Sequence, residues 1–300
     1  MHPDPFDAPI TLEGPPRDPR QMLADQTYGG HASLHDDATA DSLGLSGAPI
    51  EGPTHFSQFD PLGHVLWGDA WFERGCISAH FQTMVVEGEQ VTARATRRDG
   101  SRADIAAVKA DGSPVLSGSM TSRPDVQTAL DERRARLGEP GELFIVDQMS
   151  VGDRSGPVTT SVDLRTPNGD LYPFSLEQKL DAITEPSEWY RSERNPWGRP
   201  ILPMEMISVL AQKPGTEFPV RGPSVGLFLD LEVKLVAGPL FVGHDYVLER
   251  EVVGLGQSRR TESSWVRTDV TDAASGVLVA HVLLHSGVFK ESYAGYPTGD

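Results

Sequence analysis

Cysteine is nearly absent: Cys76 is the only one in 300 residues, which excludes a disulfide framework and a thiolate metal cluster. Positive charge is scarce as well, with 26 Lys and Arg against 43 Asp and Glu and a formal net charge of −17. Nucleic acid and anionic membrane surfaces repel such a chain at long range, so neither is expected as its main partner. No apolar run approaches the length of a membrane span, and Met1-His2-Pro3-Asp4-Pro5 has neither the basic start nor the apolar core of a secretory signal. A soluble cytoplasmic protein is the expectation. What is present is ordinary globular material, 38% hydrophobic and 23% charged, with 24 Pro and 30 Gly pointing to many turns and short elements.

The length exceeds one typical domain of about 100–200 residues, and an internal repeat says how it is divided. Gly47-Ala48-Pro49-Ile50-Glu51-Gly52-Pro53-Thr54-His55-Phe56-Ser57-Gln58-Phe59 recurs as Gly198-Arg199-Pro200-Ile201-Leu202-Pro203-Met204-Glu205-Met206-Ile207-Ser208-Val209-Leu210, with Gly, Pro, Ile and Ser at identical spacing. Each copy reads as a turn, a buried Ile and the start of a helix, with Pro53 and Pro203 suited to a first helical turn. Phe56 and Phe59, then Met206, Val209 and Leu210, give apolar faces at three- and four-residue spacing.

After the first copy, strands are predicted at 79–86, 90–97, 102–109 and 114–121, punctuated by Gly88, Asp99-Gly100 and Asp111-Gly112. After the second they are predicted at 226–235, 244–253, 258–268 and 277–286. Further helices are predicted at 19–26, 38–43 and 174–184, and through the charged stretch 125–140. The division that follows is an arm over 1–20 with a short strand at 9–13, a first repeat over 21–124, a linker over 125–141, a second repeat over 142–292 and a tail over 293–300.

Helix followed by antiparallel meander, twice, is the layout of a double hotdog, an α+β fold in which each repeat wraps a curved sheet around a central helix. The stretch Leu34-His35-Asp36-Asp37-Ala38-Thr39-Ala40-Asp41-Ser42-Leu43-Gly44-Leu45-Ser46-Gly47-Ala48-Pro49-Ile50 resembles the hydratase segment of the MaoC-like family, whose members add water to acyl thioesters or remove it. The family pattern runs Asp, any, Asn, Pro, any, His, any, Asp, then a short Ala-containing helix, a Gly and a Pro-Ile-x-His-Gly turn. The resemblance implies a catalytic role for His35 and puts Asp37 on the acidic residue two further on. Three departures accompany it: Gly30 stands where the catalytic Asp belongs, Ala32-Ser33 replaces Asn-Pro, and the turn lacks its His, with Glu51-Gly52 one residue short. In the second repeat Pro186 is level with His35. No cofactor is implied beyond the pantetheine of coenzyme A or a carrier protein, which is part of the substrate.

Hydration of an unsaturated thioester needs a base, an acid and a donor to the carbonyl oxygen. His35 is the candidate base, with Asp36 or Asp37 to orient it. Amides at Gly52 and Thr54, at a helix N-terminus, are candidates for the oxyanion, although Pro53 between them has no donor. His31, His55, Glu205 and Trp71 complete the expected substrate-binding set. Each has a plainer alternative: Asp36 or Asp37 caps a helix, Glu205 answers a helix dipole, and Trp71, with Trp67, Phe72, Trp189, Tyr190 and Trp197, packs a core rather than lining an acyl tunnel. Arg250, Arg259 and Arg260 suit phosphates or a strand edge. His31, His35, His55, His64 and His80 include one helix-like spacing, but Gly29-Gly30 breaks it and no His-Glu-x-x-His is present, so no metal is expected. Three functions follow: a hydratase or dehydratase of small-molecule acyl thioesters; a thioesterase using Glu205; or a non-catalytic module binding an acyl ligand or a partner. A homodimer is left open.

Overall fold

The computed structural model describes residues 9–213 and 218–297; part of the N-terminal arm and of the tail lies outside them. In the first half Thr11–Glu13 (β1) precedes a short helix, Asp37–Ser42 (α1). A 3-10 stretch, Gly52–Phe59, runs into Asp60–Trp67 (α2) and then Ala70–Arg74 (α3). The meander is Cys76–Phe81 (β2), Val91–Arg97 (β3), Arg102–Lys109 (β4) and Pro114–Thr121 (β5). A linker helix, Ala129–Arg134 (α4), leads to Arg154–Thr160 (β6), Leu176–Ala182 (α5) and Met204–Gln212 (α6). The second meander is Gly226–Leu235 (β7), Tyr246–Gln257 (β8), Thr261–Asp272 (β9) and Leu278–Phe289 (β10).

All ten strands form one sheet in the order β1-β3-β4-β5-β2-β7-β10-β9-β8-β6. The order is a palindrome of roles. In each half the first meander strand, β2 or β7, lies at the junction, the second carries the outer edge, and a strand from ahead of the helix, β1 or β6, covers that edge. The halves join where β2 runs antiparallel to β7, with Ile77 opposite Val233 and His80 opposite Asp230. Closing the junction in this way leaves neither half an open inner edge, the usual template for unwanted pairing.

Alternation builds the inner face. Val91, Ala93 and Ala95 on β3 and Ala103, Ile105 and Ala107 on β4 are buried, as period-two side chains on one face must be. Phe56, Phe59 and Leu62 pack onto them from the first central helix. All nine residues of α6 are buried, so this helix is apolar on every side except at Glu205, Ser208 and Gln212. Each fully buried Met, Ile, Val or Leu on it contributes about 2 kcal/mol.

Four local differences from the predicted elements have physical reasons. The strand expected at 79–86 ends at Phe81, because Val85 and Val86 turn away to pair with the repeat's turn: Ile50 N–H donates to Val85 O at 2.7 Å. The helix expected at 19–26 is absent, since the Gln21 side chain takes the Leu23 amide and donates to Pro49 O, offering the backbone a competing partner. The central helix starts as a 3-10 run of eight residues, longer than the usual three or four. The linker helix is only Ala129–Arg134; it is pinned across the outer face of the junction by its capping box, by Thr128 Oγ1 donating to Glu232 at 2.6 Å and by Arg133 pairing with Asp230 at 2.9 Å.

Candidate active site

A cavity of about 300 Å³ opens between the halves. Its polar wall comes mainly from the first half, with His31, His35, Glu51, Gly52 and His55, and the second half adds Tyr172 and Gln212. Its apolar wall is largely the second half's sheet, including Leu227, Phe228 and Leu229 of β7 and Leu284 and Val288 of β10. Mostly apolar walls with a few placed polar groups are typical of small-molecule sites.

His35 immediately precedes the N-cap of α1. Its Nδ1–H donates to the Pro49 carbonyl at 2.7 Å, and the Gln21 amide donates to the same oxygen at 2.6 Å. Because a carbonyl only accepts, Nδ1 carries the proton and Nε2 is the nitrogen left for a ligand. Burial lowers the pKa of His35 below its ordinary value, partly opposed by the Pro49 bond, so the ring is neutral at neutral pH. Glu51 is the N-cap residue of the 3-10 stretch and is buried. Burial pushes its carboxyl up to about 7, against the pull of Lys179 and of a hydrogen bond from Tyr172. His55, one turn on, is held neutral: burial first, then Lys179 and Lys109, lower it to about 4. Gly52 packs against Phe81, whose ring a Cβ on Gly52 would meet at 2.8 Å. As the first residue of its helix, Gly52 has no acceptor within that helix for its amide.

Of the residues singled out in the sequence, His31, His35, Gly52 and His55 share this wall, His31 bonding Ser224 Oγ at 3.0 Å. Five others stand outside it. Asp36 is exposed and caps α1 by accepting from Thr39 N at 2.8 Å. Asp37 is exposed and accepts from Ala48 N at 3.1 Å. Trp71 is core, its indole donating to buried Asp60 at 3.0 Å. Thr54 and Glu205 are buried behind the wall against Lys179. The aromatic group is packing: Phe72, Trp189 and Trp197 meet edge to face. His64 and His80 stand apart from the three histidines of the cavity wall, His80 pairing with Asp230 on the junction's outer face and His64 with Asp69. Arg250 is buried and donates to Ala211 O at the end of α6, while Arg260 pairs with Glu291.

Pro186 is not the counterpart of His35. The helix ahead of the second turn is α5, whose N-cap is Ser175, so Phe174 holds the place of His35, the extra length falling after α5. In the sequence pattern Glu51 stands only as a gap in the motif, and Tyr172 and Lys179 have no place in it. Glu51 carried a signal, since it occupies the turn where the resemblance calls for a His; Lys179 carried none, because a Lys on a short polar helix reads as solvent-facing.

No family model matches the sequence, and no curated protein matches it. Solved structures do. A protein described as a MaoC domain dehydratase from Chloroflexus aurantiacus J-10-fl superposes with a TM-score of 0.57 at 15% identity, over 95% of each chain. A conserved hypothetical protein from Mycobacterium tuberculosis, described as having a double hotdog fold, gives 0.61 at 12% identity, over 95% of this chain and 97% of that one. With sheet order, central helices and these superpositions in agreement, the chain is an α+β double hotdog of the architecture seen in MaoC-like dehydratases.

Proposed function

We propose that the protein is a hydratase or dehydratase of acyl thioesters, interconverting 2-enoyl and 3-hydroxyacyl groups carried on the pantetheine of coenzyme A or a carrier protein. One observation carries the reading: an imidazole whose Nδ1 is taken by Pro49, leaving Nε2 for a ligand, and a buried carboxyl that burial raises to about 7 line the same apolar cavity.

In the dehydration direction His35 Nε2 takes the proton from the α-carbon. The electron pair left behind forms the double bond as the bond from the β-carbon to its hydroxyl breaks, and Glu51 gives its proton to that oxygen, releasing water. Negative charge builds on the thioester oxygen during the first step, and the Gly52 amide at the helix start is the donor for it. His35 and Glu51 then exchange a proton through solvent and the cycle closes. Glu51 thus takes the acid's part that the motif's missing Asp leaves vacant at Gly30. Asp36 and Asp37 take no part in the reaction in this reading: Asp36 caps α1 and Asp37 accepts from the Ala48 amide. The thioesterase alternative is less well supported, because Glu205, its required carboxylate, is not on the cavity wall.

The test follows the absorbance of an enoyl thioester together with a thiol reagent. Loss of absorbance with the thiol still masked, abolished in His35→Ala and Glu51→Gln, is the expected result. Thiol release would point to hydrolysis, and tight binding without either change to a non-catalytic module.

A further inference from the structure

Behind the cavity's polar wall lies a buried cluster that the reaction above leaves unexplained. Lys179 of α5 is 4% exposed and donates to Thr54 Oγ1 at 3.0 Å. The same ammonium lies 3.7 Å from Glu205 Oε2 of α6. Glu205 is 1% exposed, and neither of its oxygens has a well-aligned donor. Glu51 interacts with both Lys179 and Glu205, and its backbone carbonyl accepts from the amide of Thr54, the residue that anchors Lys179, at 3.1 Å. Glu205 in turn interacts with the buried Asp60 carboxyl, which accepts from Trp71, Tyr190 and the Met204 amide. Tyr172, ahead of α5, also interacts with Glu51, and the other ionisable side chains that share the cavity lining with it are Tyr28, His31, His35 and His55.

Charge counting limits what this cluster can be. Within the trio of Lys179, Glu205 and Glu51, one ammonium against two ionised carboxylates leaves an uncompensated buried charge, which is strongly unfavourable and which the neighbouring Asp60 carboxyl makes worse, whereas one proton added to either carboxyl makes the trio neutral. The choice of carboxyl is then geometric. Lys179 makes its close approach to Glu205, so the ionised form is favoured there and the proton is left to the carboxyl that faces the cavity.

We infer that Lys179, Glu205 and Glu51 form one buried unit holding a single proton between two carboxyls, with Lys179 as the positioning residue that directs this proton to Glu51 by pairing with Glu205. The second half, which has Phe174 in place of the imidazole, would thereby set the protonation of the first half's acid. This rests on the acid role given to Glu51 above, but its physical content is separable from turnover. The upward displacement of both carboxyls fits the same picture.

The test reads the Glu51 carboxyl directly, as the infrared carboxylic-acid band that Glu51→Gln removes, titrated in the intact protein. In Glu205→Gln the ammonium is left to Glu51, and its midpoint is expected to fall by about one pH unit or more. Lys179→Met is expected to raise it by a similar amount, and Thr54→Val, which removes the ammonium's anchor but keeps its charge, to raise it less. Glu205→Gln is nearly isosteric and decides the matter alone if Lys179→Met does not fold. An unchanged or raised midpoint in Glu205→Gln would overturn the inference. If the midpoints move as expected while no thioester is turned over, the charge unit stands and the hydratase reading falls; if thioesters turn over through His35 and Glu51 with immobile midpoints, the reverse holds.

Discussion

The two halves share a strand order and differ in what they place at matching positions. In the first half His35 precedes the N-cap of α1 and Glu51 is the N-cap of the central helix; in the second, Phe174 and Pro203 hold those places. The hydrogen bonds around the turns establish the match, for Ile50 N–H donates to Val85 O as Leu202 N–H donates to Leu240 O. What the sheet requires is alternate burial and a closed junction, and both halves supply it. The cavity lining is a separate matter: among the described residues the first half brings the imidazoles and the carboxyl of Glu51 to it, while the second contributes apolar wall and, behind it, the buried cation Lys179.

The sharpest way to break this contrast is to remove the paired groups. His35→Ala and Glu51→Gln are each expected to lower kcat/KM for dehydration by about 10²–10⁴-fold, with the double variant little worse than either because they act as a unit. Phe174→Leu at the matching place should leave kcat within roughly threefold, costing about 1 kcal/mol of stability. Steady-state kinetics on the four variants checks this.

The junction comes next. Asp230 is fully buried and accepts from His80 at 2.9 Å and His285 at 2.6 Å, with Arg133 at 2.9 Å. These partners hold its carboxyl down at about 2 against the opposing effect of burial. Asp230→Ala leaves them unmatched between strands of both halves and the linker, and is expected to cost about 3 kcal/mol in urea unfolding.

Asp60 behaves oppositely. Burial raises it from 3.8 to about 7, although Trp71, Tyr190 and the Met204 amide donate to it. A carboxyl raised in the folded state gives a stability contribution that is complete below its unfolded pKa and lost as pH rises through its folded one. Between pH about 4 and 7 the wild type should therefore lose a few kcal/mol that Asp60→Asn does not, as measured by urea unfolding across that window. The smallest effect is at the exposed cap, where Asp36→Ala should cost about 1 kcal/mol and leave kcat nearly unchanged, which separates capping from catalysis.

Much of the fold was legible because its signals are local. The repeat around Ile50 and Ile201, the Asp-Gly turns and the period-two runs locate all eight meander strands, and the strand 226–235 matches to the residue. The sequence pairing of the repeat is itself one residue out of step, since the hydrogen bonds and bridges put Ile50 level with Leu202. Boundaries moved where a distant partner intervened, as at Val85 with Ile50 and Gln21 with Pro49. In the site, His35 was legible from its motif. Glu51 was hidden because it replaces the expected residue type, and Lys179 and Tyr172 because their burial is set by contacts with the other half, more than 100 residues away in sequence.

The most direct measurement is the pH dependence of kcat/KM for dehydration by the wild-type protein. The acid role requires Glu51 protonated and the base role requires His35 neutral, so the rate is expected to fall as pH rises through about 7 and to fall again on the acid side, below the ordinary range of histidine. A rate that keeps climbing from neutral into alkaline pH would contradict the assignment of acid and base.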